Sequence, residues 1–296
     1  MNDQQKAIAC GLGAVLCWST VATAFKLSLG YLSPPQLVLL ATAASWLLLF
    51  GVLLGRKQGA RLLHGSARAY LRALLLGAIN PFLYYLVLFR AYELLPAQEA
   101  QALNYTWALT MALLAVPLLG HRLRPAELLA ALVSYGGVLV IATHGELLAM
   151  EFVNPAGVGF ALLSTVLWAF YWLFNTRAVD DPVLALFWNF SAALPLLLLF
   201  CGLTGELQAV PWRGVLGAAY IGVFEMGLSF ILWQYALQLT RSTIQVSSLI
   251  FLAPPLSLVL IHLVLGEQIL ASTIVGLALI LLGLLLQQLA ASRDPA

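Results

Sequence analysis

Ten apolar runs of about 20 residues follow one another along this chain with almost nothing between them. At ~1.5 Å per residue, each is long enough to cross a hydrocarbon layer of roughly 30 Å as a helix. The runs fall near residues 7–29, 35–54, 70–92, 97–119, 126–143, 155–176, 182–202, 213–238, 243–265 and 269–290, bounded by charge, Pro or Gly. Helices that are apolar around nearly their whole circumference cannot form a soluble bundle, which requires a polar outer face. The expectation is therefore an all-α polytopic membrane protein of ten transmembrane helices with the bilayer as its first partner. The connections are short, so successive helices must be antiparallel, no soluble domain has room on either side, and function must lie inside the bundle.

Composition narrows the function classes. Hydrophobic residues make up 62% and charged residues 9%, against about 25% charged in an ordinary soluble domain. A net charge of +2 with basic residues scattered through loops gives no footprint for nucleic acid. Cys10, Cys17 and Cys201 all lie inside apolar runs without metal or redox spacing, and phosphate loops, nucleophile elbows and paired catalytic groups are missing. Neither an enzyme nor a bound cofactor is expected. Lys6 is followed by an apolar run past 20 residues with no small-residue cleavage site, which reads as a first span and not a signal peptide.

Orientation follows from the positive-inside rule. With the N-terminus inside, Lys6, Arg56, Lys57, Arg61, Arg68, Arg72, Arg122, Arg124, Arg177, Arg241 and Arg293 are cytoplasmic, whereas only Lys26, Arg90 and Arg213 are outside. Both termini are expected in the cytoplasm.

The chain also repeats itself. At an offset of 150, Trp18 falls on Trp168 and Leu47–Phe50 on Leu197–Phe200; at 145, Gly77 meets Gly222, Asn80 meets Glu225 and Ala91 meets Ala236; at 146, Gly120 meets Gly266 and Gly137 meets Gly283. The polar stretch 144–154 divides the copies into residues 1–148 and 149–296. Five spans is an odd number, so the second half must enter the membrane in the opposite sense. Inverted repeats are a frequent plan of secondary transporters, whose halves exchange roles to open a midplane site to either side.

The candidate site residues are the polar and aromatic groups at depth. A carboxylate at mid-bilayer costs about 2.5–3.5 kcal/mol on insertion scales, and Glu225 stands near the middle of the eighth run opposite its polar repeat mate Asn80. It reads either as a substrate or coupling group facing a wet cavity, or as a neutral acid bonding a neighbouring helix. Lys26 ends the first run and either snorkels to the interface or points inward toward a substrate carboxylate. Arg90 and Glu93, three apart, read as an interfacial pair.

Trp18, Ala22 and Lys26 share one helix face; Ser164, Trp168 and Trp172 share another, with Asn175 one turn on; and Gln98, Gln101, Asn104, Tyr105 and Trp107 crowd the fourth run. Rings at these depths either line a cavity for a ring-bearing cargo or pack helices. Tyr31, Tyr70, Trp212 and Tyr235 lie at run ends and suit the interfacial belt. Ser242, Gln245 and Ser248 precede Pro254-Pro255, a pair that removes two backbone donors and bends its helix.

Taken together, Trp18-Ser19-Thr20 ending in Lys26, Ala253-Pro254-Pro255 followed by Leu265-Gly266-Glu267, and the duplication over the whole chain resemble the drug/metabolite transporter superfamily in its EamA-type ten-helix branch. Trp18, Tyr84, Tyr105, Trp107 and Trp168, with Asn104 beside Tyr105, are similar to the aromatic-rich positions of that branch's aromatic amino acid exporters. The resemblance implies a central cavity between the halves and efflux of aromatic amino acids or related metabolites from the bacterial inner membrane; a broad-specificity drug or small-metabolite exporter is the alternative. Those aromatic-rich positions together with the polar and aromatic groups at depth give a candidate substrate-binding set of Trp18, Asn80, Tyr84, Gln101, Asn104, Tyr105, Trp107, Trp168, Trp172 and Ser248, with Glu225 and Lys26 as candidate coupling or gating groups. A monomer is compatible with this plan. One departure stands out: Gly120-His121 replaces in the first half the Gly266-Glu267 of the second, so the loop acid occurs once.

The orientation is directly testable. In a cysteine-free background, cysteines at Arg61 and Glu206 should react differently with an impermeant thiol reagent added to intact cells, with only the second labelled. Labelling of position 61 from outside would reverse the topology.

Overall fold

A computed structural model describes residues 2–62, 64–120, 125–147, 154–175, 181–240 and 243–291, and among these the regular structure is helical without strands. His121, Arg122, Arg124, Glu151, Arg177, Arg241, Ser242 and Arg293 lie outside the described residues.

The first two helices show how local chemistry sets the ends. α1 (Asp3–Leu29) opens on a capping box in which Asn2 and Gln5 satisfy each other's backbone donors, and α2 (Pro34–Gly55) opens on the same device from Ser33 and Gln36, with Pro34 at the first position, where its missing N–H costs nothing. α3 (Ala67–Gly77) and α4 (Tyr84–Leu94) are joined through a π segment, Ala78–Leu83, into one 28-residue span. α5 (Ala97–Asn104) and α6 (Trp107–Leu119) follow, then α7 (Pro125–Ala142), α8 (Pro155–Asn175) and α9 (Pro182–Leu203). α10 (Trp212–Tyr220) and α11 (Ser229–Leu239) enclose a second π segment, Ile221–Leu228, in another 28-residue span. α12 (Thr243–Ser248), α13 (Ala253–Leu260) and α14 (Ala271–Ala291) complete the chain.

Eight helices among the described residues are long and apolar enough to span a bilayer. The other two runs, 97–119 and 243–265, depart from the unbroken spans expected of them. The first breaks after Asn104, where Tyr105 and Thr106 form a turn. In the second, Pro254 and Pro255 lack the N–H groups that would bond four residues back, and the backbone ahead of them tightens into a 3-10 turn at Leu249–Leu252. Gly120 and Gly266, matched in the sequence, end α6 and the Ile261–Leu265 segment alike, at φ of 70° and 71°, a left-handed conformation that favours glycine.

The spans interleave across the two halves of the sequence. α1 packs on α10 and α11, α2 on α9, α3 and α4 on α9 and α8, and α7 on α14. Small residues permit these contacts. Gly77 presses on the Asn189 carbonyl of α9 and its repeat mate Gly222 on the Ala41 carbonyl of α2. Between α7 and α14, Gly137 and Gly276 meet at each other's carbonyls, and Ser134 Oγ donates to Ile280 O at 3.0 Å. The outer surface is apolar, with Leu47, Leu132 and Leu199 at least 60% exposed, as a lipid-facing wall requires. Tyr31, Tyr70, Trp212 and Tyr235 are exposed near span ends, in keeping with the belt expected of them.

A side chain at Gly276 would meet the Gly137 carbonyl at 2.6 Å, whereas one at Gly136 meets nothing within 4 Å. Overpacking of this kind costs about 1–3 kcal/mol. Gly276→Val should therefore lower the melting temperature of the detergent-purified protein, followed by intrinsic fluorescence, while Gly136→Val leaves it nearly unchanged. Equal melting of the two variants would contradict the close approach of α7 and α14.

Candidate substrate site

Trp168, on α8, is the hub of a ring cluster that draws on both halves of the sequence. Its ring centroid lies 4.6 Å from Tyr84, 5.8 Å from Tyr171, 5.9 Å from Phe230, 6.0 Å from Trp172 and 6.4 Å from Trp107. Phe230 passes the cluster on to Trp18 at 6.3 Å, and Trp18 meets Trp233 at 5.2 Å. Most pairs are tilted or edge-to-face, the arrangements the ring quadrupole favours, at roughly 0.5–1.5 kcal/mol per pair. The repeat mates Trp18 and Trp168 are thus linked through Phe230.

Polar groups border these rings at the same depth. Glu225 is buried in the second π segment, and its Oε1 accepts from Tyr85 OH at 3.2 Å; Tyr85 in turn packs on Tyr84 at 4.7 Å. The carboxyl lies within electrostatic reach of Cys17, Tyr84 and Tyr105. Asn80, buried in the first π segment, bonds Tyr171, whose hydroxyl also accepts from Asn189 at 3.3 Å. Both members of the pair matched at offset 145 therefore sit where the helix widens, and π segments are frequent at functional positions. Asn104 donates to Ser164 Oγ at 2.9 Å and meets the Tyr84 hydroxyl, while Thr110 bonds both Tyr135 and Thr165 at 2.9 Å.

Three acceptors in this region have no hydrogen-bond partner: Asn80 Oδ1, Gln101 Oε1 and Glu225 Oε2. A buried unmet acceptor costs about 1–3 kcal/mol, and such groups in a native structure call for a function or a bound partner.

The faces of the bundle differ. At the face where α1 starts and α14 ends, a shallow recess opens between α8, α9 and α11, lined by Tyr171, Trp172, Asn175, Leu186, Phe230 and Gln234. It adjoins the Trp168 cluster through Tyr171, Trp172 and Phe230. Nearby, Gln4 bonds Gln245 at 2.9 Å, Arg56 bonds Tyr235 at 3.0 Å, and Arg72 donates to the Phe174 and Asn175 carbonyls.

The opposite face is laced around the start of α5. The Glu267 carboxylate accepts from the backbone N–H of Ala97 at 2.9 Å and of Gln98 at 3.4 Å, a cap that also suits the positive helix end. The Gln98 side chain donates to Gln268 O and accepts from Leu270 N, Glu99 bonds His144 at 2.7 Å, and Asn154 donates to Leu94 O at 3.0 Å. Lys26 Nζ donates to the carbonyls of Tyr92 and Leu95, both at 2.7 Å. The unduplicated acid thus clasps one half of the sequence to the other.

The structure gathers Trp18, Tyr84, Trp107, Trp168 and Trp172 into one cluster and sets Asn80, Asn104 and Glu225 at its border. Tyr105 and Gln101 lie one turn apart on the adjoining segment, with Tyr105 N donating to Gln101 O. Two residues stand away from it: Ser248 is on α12, accepting from Gln288 at 3.1 Å, and Lys26 neither snorkels nor faces the rings but closes the end of α4. Arg90 and Glu93 form the exposed pair expected of them. Tyr85, Tyr171, Phe230 and Asn189 escaped the sequence reading; only Tyr85, adjacent to Tyr84, and Tyr171, one position from Trp172, carried any signal.

Comparison with known proteins agrees with this architecture. The model of the EamA-like transporter family matches residues 5–143 and again 155–287. The chain is 28% identical over 273 residues to the aromatic amino acid exporter YddG of Ancylobacter novellus, covering 89% of this chain and 90% of that protein. A protein of known crystal structure superposes with a TM-score of 0.67 over 98% of both chains at 24% identity, a likeness of fold alone.

Proposed function

From membership of the EamA-like transporter family, to which this chain belongs, we propose that the protein exports aromatic amino acids and related small ring compounds through the Trp168 cluster by alternating access. The observation that carries this reading is the cluster itself: five aromatic side chains converge on Trp168 beside a buried acid. The name of the relative, an aromatic amino acid exporter, points to the same cargo class.

The accompanying plan is ten spans in two inverted halves, residues 1–148 and 149–296. It is supported by the two family matches, by π segments at Asn80 and Glu225, and by the like-built ends at Gly120 and Gly266. In this plan the broken pairs α5–α6 and α12–α13 are the fourth and ninth spans, both termini are cytoplasmic, and the membrane is the bacterial inner one. The recess then faces the cytoplasm while the Glu267 clasp closes the outer side, which is the arrangement of a carrier ready to load cargo from inside. Export requires that clasp to open and the recess to close. Glu225 is the group that meets the cargo or a coupled proton.

Replacing Trp168 removes several ring contacts at once. In cells loaded with labelled tryptophan, Trp168→Ala should slow efflux about tenfold or more, equivalent to about 1.4 kcal/mol, at unchanged membrane abundance, and Trp168→Phe should retain most of it. Normal efflux by both Trp168→Ala and Tyr105→Ala at wild-type abundance would mean that these rings only pack helices.

A further inference from the structure

Three carbonyl or carboxyl oxygens at the border of the ring cluster are unmet. Asn80 Oδ1, Gln101 Oε1 and Glu225 Oε2 are acceptors, each on a side chain at least 92% buried and each without a partner. A primary ammonium offers three donors to whichever of these acceptors it reaches.

Positive charge that could receive a carboxylate is held elsewhere. Among the described residues, Lys26 spends two donors on the Tyr92 and Leu95 carbonyls, Arg72 is on the Phe174 and Asn175 carbonyls, Arg56 on Tyr235, and Arg90 on Glu93. Lys57 and Arg68 are exposed at a face. None of these basic groups forms an ion pair with Glu225, whose Oε1 accepts from the Tyr85 hydroxyl. A cargo carboxylate entering the cluster would lie near the Glu225 carboxyl without a counter-ion, and an unpaired charge at low dielectric is strongly disfavoured.

Resting on the aromatic-cargo reading above, we propose that the site recognises its cargo by a ring and an ammonium and gains nothing from a carboxylate. The cargo class is then the aromatic primary amines and carboxyl-masked amino acids, with the free aromatic amino acid one member and not the best fitting. The flat walls around Trp168 take the ring, and the Asn80, Gln101 and Glu225 acceptors take the ammonium.

The test is a binding series on the purified wild-type protein in detergent, using labelled tryptamine as probe and tryptophan, tryptophan amide, indole-3-propionate and leucine amide as competitors. Tryptophan amide should displace the probe at the same concentration as tryptophan or lower, and indole-3-propionate, which has the ring and the carboxylate but no ammonium, should need at least about tenfold more. Glu225→Gln should weaken tryptamine binding about tenfold while leaving indole-3-propionate as strong as before or stronger; the wild-type series decides the matter even if that variant fails to fold. The inference is overturned if tryptamine does not bind, if indole-3-propionate competes as well as tryptophan amide, or if tryptophan is tenfold better than its amide. Leucine amide separates the two readings: if it competes as well as tryptophan amide while indole-3-propionate fails, the ammonium site stands and the aromatic cargo falls.

Discussion

A bilayer offers no hydrogen-bond partner, so every polar group taken into it must find one within the protein. This constraint accounts for the distribution of polar side chains in the bundle. Ser19 and Ser229 return their hydroxyls to carbonyls one turn back, at 2.7 Å and 2.6 Å, Ser134 bridges α7 to α14, and Trp46 donates to Ser191 at 2.8 Å. Asn80 Oδ1, Gln101 Oε1 and Glu225 Oε2 lack such a partner within the protein, as do the Thr23, Thr42 and Ser45 hydroxyls. In the proposed reading, the aromatic hub and the Asn80, Gln101 and Glu225 acceptors belong to one internal site.

Transport also needs faces that can open. The clasp centred on α5 is built from groups at the ends of helices and in short connections, and its bonds run between distant parts of the chain: Glu267 to Ala97, His144 to Glu99, Lys26 to Leu95. Bonds of this kind can break without disturbing a helix interior. The α7–α14 pair differs, being fixed by backbone-to-backbone approach at Gly137 and Gly276. In the proposed cycle, α7 and α14 hold together while the ends of α4 and α5 part from the Gly266–Leu270 connection.

Much of this was legible in the residues. Span positions follow from hydropathy because the bilayer allows few alternatives, and Trp168 stood out because a tryptophan at depth beside Ser164 is unlike an interfacial one. The Asn80–Glu225 match located both π segments without revealing them, since a widened turn depends on how a helix fits its neighbours and leaves no periodicity of its own. Phe230 was invisible for a related reason: an apolar ring reads the same toward lipid as toward a cavity. Lys26 joins the clasp because the free carbonyls at the end of α4 offer its ammonium a near partner, which a single residue at a run end does not reveal. Ser248 lies at the end of α12, where it accepts from Gln288, a partner that its place ahead of Pro254 does not reveal.

The central claim, that the buried ring cluster is a passage site for ring-bearing cargo, is tested most directly by flux through the protein alone. Liposomes containing only this chain should take up labelled tryptophan down its gradient, with saturation, at a rate well above that of protein-free liposomes, and excess unlabelled phenylalanine should suppress the flux where alanine does not. Flux equal to that of the protein-free liposomes, or suppression by alanine as strong as by phenylalanine, would contradict it.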